Sequence, residues 1–164
     1  MVMKFKFLLF SWILVGLVSC ASMPPRVAQT DLPALTQPQQ EKLRSLEEDV
    51  LKSSGGWREA ANAFRQLQTT YRMELEKYGP AGRPASVDTL KKQTEEMKQK
   101  ERLAYAMLAE SIAKLELAKA EIAYAGQTGT IQKYVSYLNR VNSDLEYIRK
   151  HMPTYNDTDQ RRQQ

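Results

Sequence analysis

The stretch VDTLKKQTEEMKQKERLAYAMLAESIAKLELAKAEIAYA, Val87 to Ala125, runs for 39 residues without a proline or a glycine. Proline would remove a backbone donor, and glycine would raise the entropy cost of ordering the chain. With neither present, one unbroken helix of about 58 Å is expected at 1.5 Å per residue. Its two halves differ in chemistry. Residues 87–102 are dense in charge, whereas 103–125 are rich in alanine and carry Leu108, Ile112, Leu115 and Ile122 on one side. Alanine lets neighbouring helices approach closely, so the second half is expected to hold the core. The first half has too little apolar surface to bury fully and is expected either to project or to be covered by another element. Glu110, Lys114, Glu116, Lys119 and Glu121 exclude a membrane span here, because each charge at mid-bilayer is expensive. Ser86 stands in the position of an N-cap, and Asp88 lies near the positive end of the helix dipole.

Toward the C-terminus, Gly126 is suited to cap this helix and Gln127-Thr128-Gly129 forms a short turn. Short turns favour antiparallel neighbours. A fourth helix is expected from Thr130 to Met152, with Ile131, Val135, Leu138, Val141, Leu145 and Ile148 as its apolar stripe. Arg149, Lys150 and His151 suit its negative end, and Pro153 stops it. At 100° per residue Tyr134 falls within the stripe, Tyr137 at its border and Tyr147 roughly opposite. Tyr147 and the tail residue Tyr155 are therefore candidates for contact with a partner.

Toward the N-terminus, Gly79-Pro80-Ala81-Gly82-Arg83-Pro84 reads as a loop. Before it, Trp57, Ala60, Phe64, Leu67, Tyr71 and Tyr78 recur at steps of three, four or seven, which predicts a helix from Trp57 to Tyr78. Trp57 is expected in the core, with a binding anchor as the alternative. Ser53-Ser54-Gly55-Gly56 is expected to separate this helix from a short first one, which opens near Pro38 and carries Leu43, Leu46 and Val50. Strand signals are absent. The expected fold is all-α: a three- to four-helix bundle with a long third helix, whose second half forms an antiparallel hairpin with helix four against helix two.

Both ends of the chain depart from this pattern. Residues 154–164 are polar and read as a disordered tail, leaving 38–153 as the helical domain. Residues 21–37 contain three prolines and read as a tether. Before them, Lys4 and Lys6 precede a run from Phe7 to Val18 that is apolar except for Ser11 and Gly16. This run is too short to cross a bilayer, which takes about 20 apolar residues, but it has the form of an export signal. It ends at Leu17-Val18-Ser19-Cys20, which resembles the lipobox of bacterial lipoproteins.

The resemblance covers only about the first 22 residues. It implies cleavage between Ser19 and Cys20, so that 1–19 is a signal peptide, and a diacylglyceryl group on the Cys20 thiol with an acyl chain on the new amino terminus. Residues 20–37 then form a lipidated tether. Ala21 rather than Asp after the cysteine favours the outer membrane by the family's sorting rule. An uncleaved anchor helix and an ordinary secretory signal with an incidental cysteine are the alternatives. Cys20 is the only cysteine, so its acylation leaves no thiol for a disulfide.

The formal charge of +5 falls to +3 without Lys4 and Lys6, and the charges of both signs interleave. No concentrated cationic face is implied, and nucleic acid does not fit the compartment. His151 is the only histidine, so neither a nucleophile-base pair nor a zinc set can be assembled around it. The glycine-rich stretches follow no strand and lack a Lys-Ser/Thr partner, which excludes a phosphate loop. Carboxylates alone suffice for glycoside hydrolysis, but these lie on solvated helix faces. The expectation is a non-enzymatic envelope protein, anchored to the membrane by lipid, with a protein partner and no metal or other cofactor. The alternative is a carrier with an apolar cavity lined by residues such as Phe64, Met107 and Leu108.

Overall fold

A computed structural model describes residues 25–78 and 84–152. The expected signal segment with Ser19 and Cys20, the expected loop at 79–83 and the expected tail with Tyr155 lie outside the described residues. Those described form three α-helices and no strand: α1 (Gln37–Tyr78), α2 (Ala85–Ala123) and α3 (Thr128–His151), preceded by a short 3-10 turn at Gln29–Asp31. No helix among them is long and apolar enough to cross a membrane.

The expected break at Ser53-Ser54-Gly55-Gly56 does not exist; α1 continues through it for 42 residues, about 63 Å. The register explains why. Leu43, Val50, Trp57, Phe64 and Tyr71 recur every seven residues, and Leu46, Ser53, Ala60 and Leu67 recur every seven between them. The stripe on either side of the glycines is thus one stripe, and packing along its whole length outweighs about 1 kcal/mol of intrinsic helix penalty per glycine. Gly55 and Gly56 themselves face open solvent.

The partner of this stripe is α2, which carries its own sevenfold series, Val87, Thr94, Glu101, Leu108, Leu115 and Ile122. The two helices run antiparallel. Lys42 pairs with Glu121, the Ser53 and Ser111 hydroxyls hydrogen-bond at 2.9 Å, and the Trp57 indole N–H donates to Glu101 Oε1 at 2.8 Å. Between the first two contacts lies an aliphatic cluster in which Leu43, Leu115 and Ala118 are buried and Leu35, Leu46, Val50 and Ile122 pack around them.

α3 turns back along a different face of α2, and no extensive contact joins it to α1. The expected hairpin against one helix is therefore a central helix with a neighbour on each of two sides. This is why α2 needs so much alanine. Ala120, fully buried, lies under Tyr134, and Ala113 lies under Tyr137 and Val141, so small residues on α2 make room for rings on α3. Tyr137, expected at the border of the stripe, is as buried as Tyr134 for the same reason.

Helix ends also differ from expectation in detail. Pro84, not Ser86, precedes the first turn of α2: its carbonyl accepts the Val87 N–H at 2.9 Å, and Ser86 lies inside the turn. At the other end Gly126 adopts φ 86°, a left-handed conformation that a side chain would strain, and the chain reverses into α3. At the start of α1 the Gln39 side chain reaches back to Thr36, whose hydroxyl donates to Gln39 Oε1 at 3.0 Å. The Gln39 side-chain oxygen accepts the Thr36 N–H at 2.9 Å, and the Thr36 carbonyl accepts the Gln40 N–H.

Helix α3 has 24 residues, about 36 Å, against about 58 Å for α2. With Tyr134 beside Ala120 and Val141 beside Ala113, α3 ends alongside the middle of α2. The molecule therefore has a three-helix head and, beyond it, a two-helix arm in which α1 alone covers the charged first half of α2. Val87 and Thr94 are the buried residues of that half.

Candidate functional site

Residues 25–36, expected to belong to a free tether, are bound to the head. Val27 is buried against Ala120 and Tyr134, and Leu32 packs on the same cluster. Leu35 packs between α1 and α2. Covering a valine in this way is worth about 1.5–3 kcal/mol, and polar contacts fix its register.

The Val27 N–H donates to Glu116 Oε2 at 2.7 Å, while the Lys119 ammonium donates to Glu116 Oε1 at 3.3 Å. Glu116 is only 6 % exposed. A buried carboxylate needs such partners, since losing one leaves an uncompensated charge away from water. Four residues beyond Val27, Asp31 Oδ2 accepts the Tyr124 hydroxyl at 2.8 Å. The segment, which turns through Gln29–Asp31, is thus clipped to Glu116 on α2 and to Tyr124 at the end of α2, across sequence separations of 89 and 93 residues.

The carboxylates and the burial hold the neighbouring phenols in their neutral form. Tyr124 is raised above the ordinary phenol value, first by its hydrogen bond to Asp31. Tyr134 is raised chiefly by burial and then by the charges of Glu116 and Asp31. Tyr137 is raised by burial, with Arg140, 5.1 Å above the ring centroid, acting in the opposite sense.

The residues singled out from sequence are scattered. Tyr147 is 64 % exposed on α3, and its ring stacks on His151 at 4.0 Å between centroids. The His151 Nδ1 lies 2.8 Å from the Tyr147 carbonyl oxygen, so the lone histidine closes the end of its own helix. Cys20, Ser19 and Tyr155 lie outside the described residues. Trp57 is half-buried between α1 and α2 and meets the Tyr105 ring edge-on at 5.8 Å. Met107 is 42 % exposed while Leu108 is buried, so these two do not face one common cavity with Phe64.

Among the described residues, depressions open to solvent occur at the head and along the arm. One lies between Pro25 and the first half of α3, lined by Gln132, Lys133, Ser136 and Arg140 among others. Another runs along the charged face of α2 from Asp88 to Gln99. Among the described residues, no group of three His, Cys, Asp or Glu is arranged to hold a metal.

Sequence reasoning missed the clip made by Val27, Glu116, Asp31 and Tyr124. The one signal it offered was Glu116 amid the apolar positions of 103–125, a charge that needs a partner if the helix is covered on two sides. Comparison with family models, curated proteins and solved structures finds no match for this chain.

Proposed function

We propose that this chain is a lipid-anchored protein of the bacterial envelope, held at the outer membrane through Cys20, and that it acts as a structural, assembly or protein-interaction component. The observation that carries the reading is the order of residues 4–20: two lysines, a short apolar run, and Leu17-Val18-Ser19-Cys20. Acyl chains bury methylenes at about 0.8 kcal/mol each, and two or three chains hold a protein on a bilayer durably.

The architecture supports an interaction role in a specific way. The segment that leads back to Cys20 is clipped to the head, and the tip of the arm lies at the far end of α2. Exposed Met73 and Tyr78 on the arm, and Tyr147 on α3, are the surfaces offered to a protein partner.

Metabolic labelling with a fatty-acid probe tests the anchor. Label on the wild-type chain and none on Cys20→Ser is expected, with the variant leaving the membrane fraction. An unlabelled wild-type chain overturns the reading. Photo-crosslinkers placed at Met73, Tyr78 and Tyr147 in cells test the interaction role, and a discrete crosslinked species is the expected result.

A further inference from the structure

The seam between α1 and α2 changes character at one level of the molecule. Among the described residues, the clusters of buried apolar side chains draw on α1 no further than Val50 and on α2 only from Ala109 onward. Beyond that level the contacts across the seam turn polar: the Ser53 and Ser111 hydroxyls hydrogen-bond to each other, and the Trp57 indole donates to Glu101. No residue of α1 from Trp57 to Tyr78 is buried, and on α2 only Val87 and Thr94 are buried between Ala85 and Tyr105.

Gly55 and Gly56 lie at this same level. Both are helical and exposed, neither has a positive φ, and a methyl group at either meets nothing within 4 Å. Neither close packing nor backbone conformation therefore requires glycine at these positions. Each glycine weakens the helix relative to alanine, because it has more conformational freedom to lose on folding. The weakest point of α1 by propensity thus coincides with the end of its apolar seam, and local opening concentrates where buried apolar contacts are few.

We propose that Gly55-Gly56 is a hinge about which residues 57–78 of α1 swing away from residues 85–102 of α2, while residues 37–52 stay packed on the head. Trp57, the first residue beyond the hinge, then exchanges its hydrogen bond to Glu101 and its edge-on contact with Tyr105 for water. The cluster around Leu43 and Leu115 is left whole. Opening bares the half-buried Phe64, Leu67 and Tyr71 of α1 and the buried Val87 of α2. Tyr78 and Pro84 are joined by six peptide steps, so the helices can part by no more than about 20 Å at the tip. The hinge does not depend on the lipid anchor.

Pairs of spin labels in the Cys20→Ser chain, measured by double electron–electron resonance, test this. Gln68→Cys with Gln93→Cys labels exposed sites across the arm, and Glu47→Cys with Lys114→Cys does so across the head. Each pair lies within one turn of a common level in the antiparallel register set by Ser53 and Ser111. The head pair should give a single narrow distance distribution, and the arm pair should show a second population at longer distance. In the Gly55→Ala/Gly56→Ala chain that second population should fall severalfold, with the head pair unchanged.

A single narrow distribution across the arm overturns the proposal. So does a longer population that persists undiminished in the double-alanine chain, since the arm is then fraying from its tip instead of turning at the glycines.

Discussion

The head and the arm share the helices α1 and α2, yet they are held together differently. In the head α2 has helical neighbours on two sides, plus the clipped N-terminal segment, and it is built from alanine and leucine with Ala106, Ala113, Ala118 and Ala120 all buried. In the arm the same helix faces α1 alone, and Val87 and Thr94 are its buried residues among lysines and glutamates. A helix covered on two sides loses most of its solvated surface, so it can carry little charge. A helix covered on one side keeps a wide solvated face and fills it with charge. The change of composition within 87–125 thus reports the number of neighbours.

That contrast is open to direct attack. Tyr137→Ala removes a ring seated over Ala113 and should destabilise the protein by about 3–5 kcal/mol, while Phe64→Ala, half-buried in the arm, should cost about 1–2 kcal/mol. Denaturant unfolding measures both, and equal losses would erase the distinction. Next in size, Ala120→Leu overfills the contact with Tyr134 and Val27 and should cost about 1–3 kcal/mol. The same variant should speed amide exchange in residues 25–36, since those residues lie on the overfilled cluster.

A smaller effect of opposite sign probes the continuity of α1. Gly55→Ala and Gly56→Ala should each stabilise by about 0.5–1 kcal/mol, because both glycines are helical and a methyl group at either meets nothing within 4 Å. Loss of stability would restore the break at Ser53-Ser54-Gly55-Gly56.

The smallest effect is confined to alkaline solution. Tyr124, Tyr134 and Tyr137 ionise at higher pH in the folded chain than in the unfolded one. The folded state therefore holds more protons in that range. Their contribution is complete below the ordinary tyrosine value of about 10 and is lost as pH rises through the folded values. The melting temperature should decline above that pH, and phenolate absorbance should develop later in the native protein than in guanidinium. Superimposable titrations of the native and unfolded chains would contradict the burial of Tyr134 and Tyr137 and the hydrogen bond from Tyr124 to Asp31.

Much of this is legible in the sequence, and the exceptions have physical causes. The helical class, the extent of α2 and the position of α3 followed from the spacing of apolar residues and the placement of proline and glycine. The split expected in α1 follows local propensity, in which two glycines favour a stop, but Val50 and Trp57 on either side stand seven residues apart, in one continuous register that packs as one helix. Prolines likewise marked 21–37 as free chain, but Val27, Leu32 and Leu35 have enough apolar surface to bind the head once α2 and α3 have formed it.

By itself the sequence determined the periodicity of each helix, the reversal at Gly126 and the lipobox-like run ending at Cys20, because each depends on residues close together in the chain. Only the tertiary structure decided that α2 is central, that Tyr137 is buried, and that Val27 pairs with Glu116 from 89 residues away. Those outcomes depend on which faces meet, and a face has no partner until the helices pack.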